Sequence, residues 1–200
     1  MPIEVSLASP SEKFHDAFGR PTHPGWMQTF TGRRFFLMNP DDSNIVIEDI
    51  AHHLSLLCRF TGAIRQFYSV AQHSVYVSQL VPAEHRLWAL LHDASEAYLG
   101  DMGRPLKILP EMLPFRLAEK NMQRAICHAF GLEETEPPCV KEADNMMLAA
   151  EAYQLLPGGP RAEWTIWPID KVADITVEPI PPHEAKSWFL AKFAEYSRAR

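Results

Sequence analysis

At 200 residues, with 46% hydrophobic and 22% charged side chains, the chain has the makeup of one ordinary globular domain, long enough to bury roughly 70% of its unfolded surface without staples. A formal charge of −6 with no basic run argues against nucleic acid as a partner, and no apolar stretch approaches the ~20 residues of a membrane span. Cys58, Cys127 and Cys139 have no CxxC spacing and point to a reducing compartment; with no signal-peptide pattern at the start, a cytoplasmic location is expected.

Residues 1–26 are rich in Pro, Gly and short polar residues and read as an irregular arm. "MQTFTGRRFFLMNP" carries β-branched and aromatic residues on either side of a Thr-Gly turn, which predicts a hairpin at about 27–38. After the turn cluster "PDDSN", the spacing becomes helical from about Glu48. Apolar periodicity predicts helices over Val70–Leu80 and Ala83–Leu99, the second ended by Gly100. Pro114–Phe130 and Val140–Leu156 follow, the first opening on a proline and the second stopping at "PGGP". Residues 157–181 are proline-punctuated and read as irregular, with room for one short strand. Pro182–Arg198 closes the chain as an amphipathic helix. The expected class is mainly α, one helical bundle over 1–200 with a small N-terminal β-hairpin.

Polar residues interrupt these apolar helices at a few positions: His73, the pair His92–Asp93, and Asp144. Neutral imidazole and carboxylate are the usual ligands of a divalent metal in a hydrolytic site. Helical bundles build such sites from inward side chains on facing helices. Neighbours on one helix point ~100° apart, so His92 and Asp93 share an ion only if it lies between helices. Glu96 lies one turn beyond them, and Asp101 follows Gly100, where the chain can fold back. Two carboxylates beside a metal site suit phosphate ester hydrolysis, in which one group positions or deprotonates water and another protonates the leaving oxygen. The phosphoryl charge needs cations, and Arg59, ending an apolar helix, and Lys107 are the candidates. His52, seven residues before Arg59, shares its predicted helix face and is expected to hydrogen-bond near the pocket. Each residue alone has a plainer reading: a lone buried histidine is usually a satisfied core residue, and the carboxylates and cations could be solvated. The group as a whole is harder to explain that way. Trp88, Trp164, Trp167, Trp188 and Phe189 read as core, with Trp164 or Trp167 the best placed to meet a nucleobase instead.

"AQHS", "LLHDASEAYLGDMGRPLK" and "KEADNMMLAAEAY" together resemble the HD-domain metal-dependent phosphohydrolases, in particular the bacterial 5′-deoxynucleotidase branch and related phage dATP triphosphohydrolases. The resemblance runs from about Phe30 to Leu155. It implies an HD-domain helical bundle with metal ligands at His73, His92, Asp93 and Asp144. It implies catalytic carboxylates at Glu96 and Asp101, and phosphate contacts from Arg59 and Lys107. Two features depart from the 5′-deoxynucleotidase pattern: a shorter interval from Asp93 to Asp144, and Phe60 where a tryptophan tends to follow the arginine. The "GYP" and "HDxxED" marks of other branches are absent.

The expected activity is hydrolysis of a small phosphorylated metabolite, foremost a (deoxy)nucleoside 5′-monophosphate. A triphosphohydrolase releasing tripolyphosphate from a dNTP is the near rival, and a metal-stabilised interaction module without turnover the distant one. A His₂Asp₂ set accepts several ions (Mn, Co, Zn, Ni, Fe or Mg). No nucleic-acid or membrane partner is expected, and a homo-oligomer is left open.

Overall fold

A computed structural model describes residues 25–161 and 171–199, and the backbone of 14–15 and 21–22. Trp164 and Trp167 lie outside the described residues. So does most of the predicted arm, although β1 (Phe14–His15) and β2 (Pro21–Thr22) pair antiparallel within it. The predicted hairpin forms as β3 (Trp26–Gln28) and β4 (Arg34–Phe36), with Trp26 opposite Phe36. The turn between them closes by Gly32 N donating to Thr29 O, and Gly32 takes φ +82°, a backbone that glycine adopts freely.

The rest of the described chain is mainly helical. α1 (Ile47–Leu56) buries Ile50, Ala51 and Leu54. Its buried Asp49 accepts from both the backbone N–H and the hydroxyl of Thr31, at 2.7 and 2.9 Å. That carboxylate fastens the hairpin to the bundle. α2 (Val70–Gln79) starts on an N-cap, Ser69 Oγ accepting from Gln72 N. It is the central helix, buried at eight of its ten positions. α3 (Arg86–Leu90), α4 (Glu96–Leu99) and α5 (Arg104–Lys107) are short. α6 (Leu113–Ala129) and α7 (Pro138–Leu155) are long, both with proline in the first turn, where its missing N–H costs nothing. α8 (Pro182–Arg198) lies across α1, α2 and α3 and buries Ala185, Phe189 and Tyr196.

Two apolar clusters flank α2. One joins α1, α3 and α8 through Leu54, Val75, Leu90 and Phe189; the other joins α6 and α7 through Val77, Cys127, Val140 and Met147. The irregular residues 171–181 are strapped down by side-chain amides. Gln72 donates to Glu178 O and accepts from Ile180 N, and Gln154 does the same with Ile175 O and Val177 N. Among the described residues, no helix is long and apolar enough to cross a membrane.

Two expectations need correction. The helix over Ala83–Leu99 is broken: a 3-10 turn at Ala83–His85 and α3 precede a run of turns at residues 91–95, and α4 begins only at Glu96. Bonds through the break tighten to three-residue spacing, Ala94 N to Leu91 O and Glu96 N to Asp93 O. Arg59 does not end a helix either. α1 stops at Leu56, and Arg59 opens a 3-10 turn, Arg59–Gly62. Within that turn Phe60, Thr61 and Gly62 take φ of +55°, +53° and +78°. Left-handed backbone costs an ordinary residue on the order of 1–2 kcal/mol, so surrounding contacts must hold this turn in place. Arg59 N donating to Tyr68 O is one of them.

Candidate metal and phosphate site

The break at residues 91–95 is what aims His92. It frees the carbonyl of Ala89, and His92 Nδ1 donates to that oxygen at 2.7 Å. The bond fixes the tautomer and leaves Nε2 as the outward nitrogen. His73, wholly buried on α2, is fixed in the same sense: Nδ1 donates to Glu151 Oε1 at 2.6 Å. Both Nε2 atoms are buried and have no hydrogen-bond partner. Buried polar atoms are rarely left so, and here the two converge on one point.

Two carboxylates meet them there. Asp93 Oδ2 is 3.2 Å from His92 Nε2 and 3.7 Å from His73 Nε2. Asp144 Oδ1, from α7, is 3.3 Å from His73 Nε2 and 3.9 Å from His92 Nε2. The potential ligand atoms of His73, His92 and Asp93 all lie within 4.8 Å of one another. Ligand bonds of ~2.0–2.2 Å place neighbouring donors roughly 3–3.5 Å apart, so these residues fit one divalent ion. The electrostatics agree. Burial opposes charge on His92, yet Asp93 and then Asp144 push its pKa up to about 9. Burial also opposes ionisation of Asp93 and Asp144, but the histidines hold both below the usual carboxylate range. The pocket thus stabilises positive charge at its centre.

Glu96 is buried, with Oε2 unpartnered and Oε1 3.8 Å from Lys107 Nζ. Burial, then the charges of Asp93 and Asp101, raise its pKa well above the ordinary value. Asp101 is half-buried and shifted upward too, by burial first and by Asp93, against the pull of Arg59. Both groups therefore hold a proton more tightly than a free carboxylate. Arg59 is 7% exposed, donates from Nε to Glu151 Oε2 at 2.9 Å, and has Nη1 3.8 Å from Asp93 Oδ2. Burial works against its charge, but Glu151 and Asp93 more than restore it. Lys107, on α5, pairs with Glu119 of α6 at 2.6 Å.

A cavity of about 900 Å³ opens between α6 and this cluster. His92, Asp93, Asp144 and Lys107 line it, together with Trp88 and Glu136. Arg116, Lys120, Arg124 and Lys141 line it too, among the acidic Glu119 and Glu134, and Lys141 pairs with Asp144 Oδ2 at 2.7 Å. The volume suits a ligand of nucleotide size. Glu96, Asp101 and Arg59 are absent from this lining, although Arg59 Nη1 lies 3.8 Å from Asp93 Oδ2.

His73, His92, Asp93 and Asp144 thus come together, with Glu96, Asp101, Arg59 and Lys107 around them. His52 does not join them. Its ring stacks on Phe30 at 3.7 Å, and Nδ1 lies 3.4 Å from Lys186 Nζ of α8. The shared-face argument fails because Arg59 is off the helix that carries His52. Glu151 was missed by sequence reasoning, although a signal was present: it stands seven residues after Asp144, two turns along the same face of α7. Its acceptance of bonds from Arg59, Tyr68 and His73 holds it below the usual carboxylate range, in spite of burial.

No protein-family model matches the chain. It is 39% identical over 181 residues to the uncharacterized protein YfdR of Escherichia coli strain K12, an alignment covering 88% of this chain and 97% of that protein. It is 36% identical over 143 residues to the uncharacterized protein RCAP_rcc00048 of Rhodobacter capsulatus, covering 65% and 72%.

Proposed function

For this chain, which belongs to the family of YfdR, we propose a divalent-metal-dependent phosphohydrolase of the HD-domain type, cleaving the phosphate ester of a (deoxy)nucleoside 5′-monophosphate. The observation that carries this reading is the convergence of two unpartnered imidazole nitrogens and two carboxylates at the wall of a cavity lined by charged groups of both signs. His73, His92, Asp93 and Asp144 would hold the ion. When bound, it would supply positive charge for the phosphoryl oxygens and lower the pKa of the attacking water.

The chain's own groups account for the remaining chemistry. Water adds to phosphorus, and the bond from phosphorus to the 5′ oxygen breaks. Glu96 and Asp101, both with raised proton affinity, are the groups suited to take the proton of the water and to give one to the leaving oxygen. Arg59 has committed Nε to Glu151 and keeps its terminal nitrogens for phosphoryl oxygens. A second reading, a dNTP triphosphohydrolase, would use cavity-lining cations such as Lys120 and Arg124 for the longer phosphate chain beyond the reacting phosphorus.

Turnover of a panel of nucleoside mono- and triphosphates with Mn²⁺, Co²⁺ and Mg²⁺ tests both readings. Release of orthophosphate from monophosphates supports the first, and tripolyphosphate from triphosphates the second. No turnover with any pair would leave a metal-stabilised interaction module.

Arg59 carries its own prediction. Arg59→Lys keeps the charge but loses the planar fork, so kcat/KM should fall about 10- to 100-fold, the scale of one or two charge-assisted hydrogen bonds. Bound Mn²⁺ should stay. A rise in KM alone would mean that Arg59 grips ground and transition states alike, and a fall in kcat that it favours the transition state. Unchanged kinetics would remove Arg59 from the site.

A further inference from the structure

Glu151 is fully buried on α7 and accepts three hydrogen bonds from the segment that runs from Arg59 into α2. Tyr68 Oη donates to Oε1 at 2.8 Å, His73 Nδ1 to the same oxygen at 2.6 Å, and Arg59 Nε to Oε2 at 2.9 Å. A counter-ion for a buried arginine would need only the last of these. The carboxylate divides its two oxygens between the two halves of the site: one turns a proposed metal ligand, the other turns the proposed phosphate clamp. Hydrogen bonding at one ring nitrogen decides which nitrogen a histidine offers to a metal. A bond at Nε likewise sets the plane in which the two Nη atoms of an arginine lie.

We propose that Glu151 is a positioning residue that couples the cation site to the anion site, setting the tautomer of His73 and the direction of the Arg59 fork through one carboxylate. The inference rests on the metal reading given above. A chemical consequence follows for Glu151→Gln, which keeps the shape and loses one acceptor. With the amide oxygen toward His73, the NH₂ faces the Arg59 Nε–H, donor against donor. With the amide reversed, His73 Nδ1 must accept, its proton moves to Nε2, and the metal-facing nitrogen is blocked.

The test measures binding without turnover. Calorimetry with Mn²⁺ alone, then with inorganic phosphate added to the Mn²⁺-saturated protein, is run on wild type, Glu151→Gln and Glu151→Ala, the last removing both acceptors. In Glu151→Ala, Mn²⁺ affinity should fall 10- to 100-fold, as for other outer partners of metal-bound histidine. Phosphate affinity should fall as well, and that second loss should disappear in an Arg59→Ala background if it is transmitted through Arg59. Glu151→Gln should lower one affinity or the other according to its amide orientation, and equal affinities in a folded Glu151→Gln would overturn the proposal, leaving Glu151 a structural ion-pair partner. Loss of only one affinity in Glu151→Ala would overturn the coupling. Wild type binding no Mn²⁺ would overturn the metal reading along with it, which separates the two failures. Should Glu151→Gln not fold, histidine ¹⁵N spectra of the Zn²⁺-loaded wild type decide: the proposal requires His73 protonated at Nδ1 and metal-bound at Nε2. The reverse arrangement would overturn it.

Discussion

Replacing Asp93 by alanine should strip the ion from the protein and abolish turnover. Asp93 Oδ2 lies 3.2 Å from His92 Nε2, 3.7 Å from His73 Nε2 and 3.8 Å from Arg59 Nη1, so it touches the proposed metal and phosphate halves of the site together. Without it, the two imidazoles face Asp144 alone, and two neutral nitrogens with one carboxylate hold a divalent ion far less firmly. Asp93 sits in the turn at 91–95 and caps no helix, so the fold should survive. Metal analysis of the purified variant, beside its far-ultraviolet circular dichroism, checks both halves of this expectation. A folded Asp93→Ala that retains one equivalent of metal and wild-type turnover would refute the site.

The second large effect is expected at Glu96, and it should have two signs. Glu96→Gln should keep its metal, because the side chain lies outside the ligand cluster, while turnover falls on the order of 10²-fold or more, the scale of a lost acid or base. The metal-free variant should nevertheless be more stable than metal-free wild type at slightly alkaline pH. Burial first, then Asp93 and Asp101, raise the pKa of Glu96 in the folded protein. The unfolded chain ionises it freely near ~4.3, so wild type loses stability as pH rises above that value, and the amide does not. The advantage of Glu96→Gln should therefore grow from pH 5 to pH 8 in thermal melts with chelator present. A flat difference across that range would mean that Glu96 is ionised at little cost. Loss of metal together with activity would instead make it a ligand.

The cluster was legible because histidine and aspartate are costly in apolar helical segments; Asp144 alone reads as a surface or capping residue and stands out only with His73, His92 and Asp93. The break in Ala83–Leu99 was not legible. Apolar spacing runs through it at Leu87, Trp88, Leu90, Leu91, Ala94 and Tyr98, with no glycine or proline to stop a helix. The break goes with contacts that spacing does not encode: His92 bonds the carbonyl of Ala89 and its ring faces His73 of α2 and Asp144 of α7. Arg59 was placed in the site for a reason that proved incomplete, since nothing local signals two consecutive left-handed residues at Phe60 and Thr61. Glu151 looked like one polar residue in the alanine-rich run "AAEAY". Its importance lies in its partners, 78 and 92 positions away.

Those separations bear on how the protein comes to its working form. Helices such as α6 are built from near neighbours and can form while the chain is still loosely collapsed. The junction of Arg59, His73 and Glu151 closes a loop of about half the chain, and such long closures are made late because their entropy is lost before any contact rewards it. No fragment ending before α7 contains the junction at all. Helical content and competence are therefore separate clocks in this molecule. A chain can look folded by its backbone signal while the carboxylate that aligns the histidine and the arginine has yet to dock.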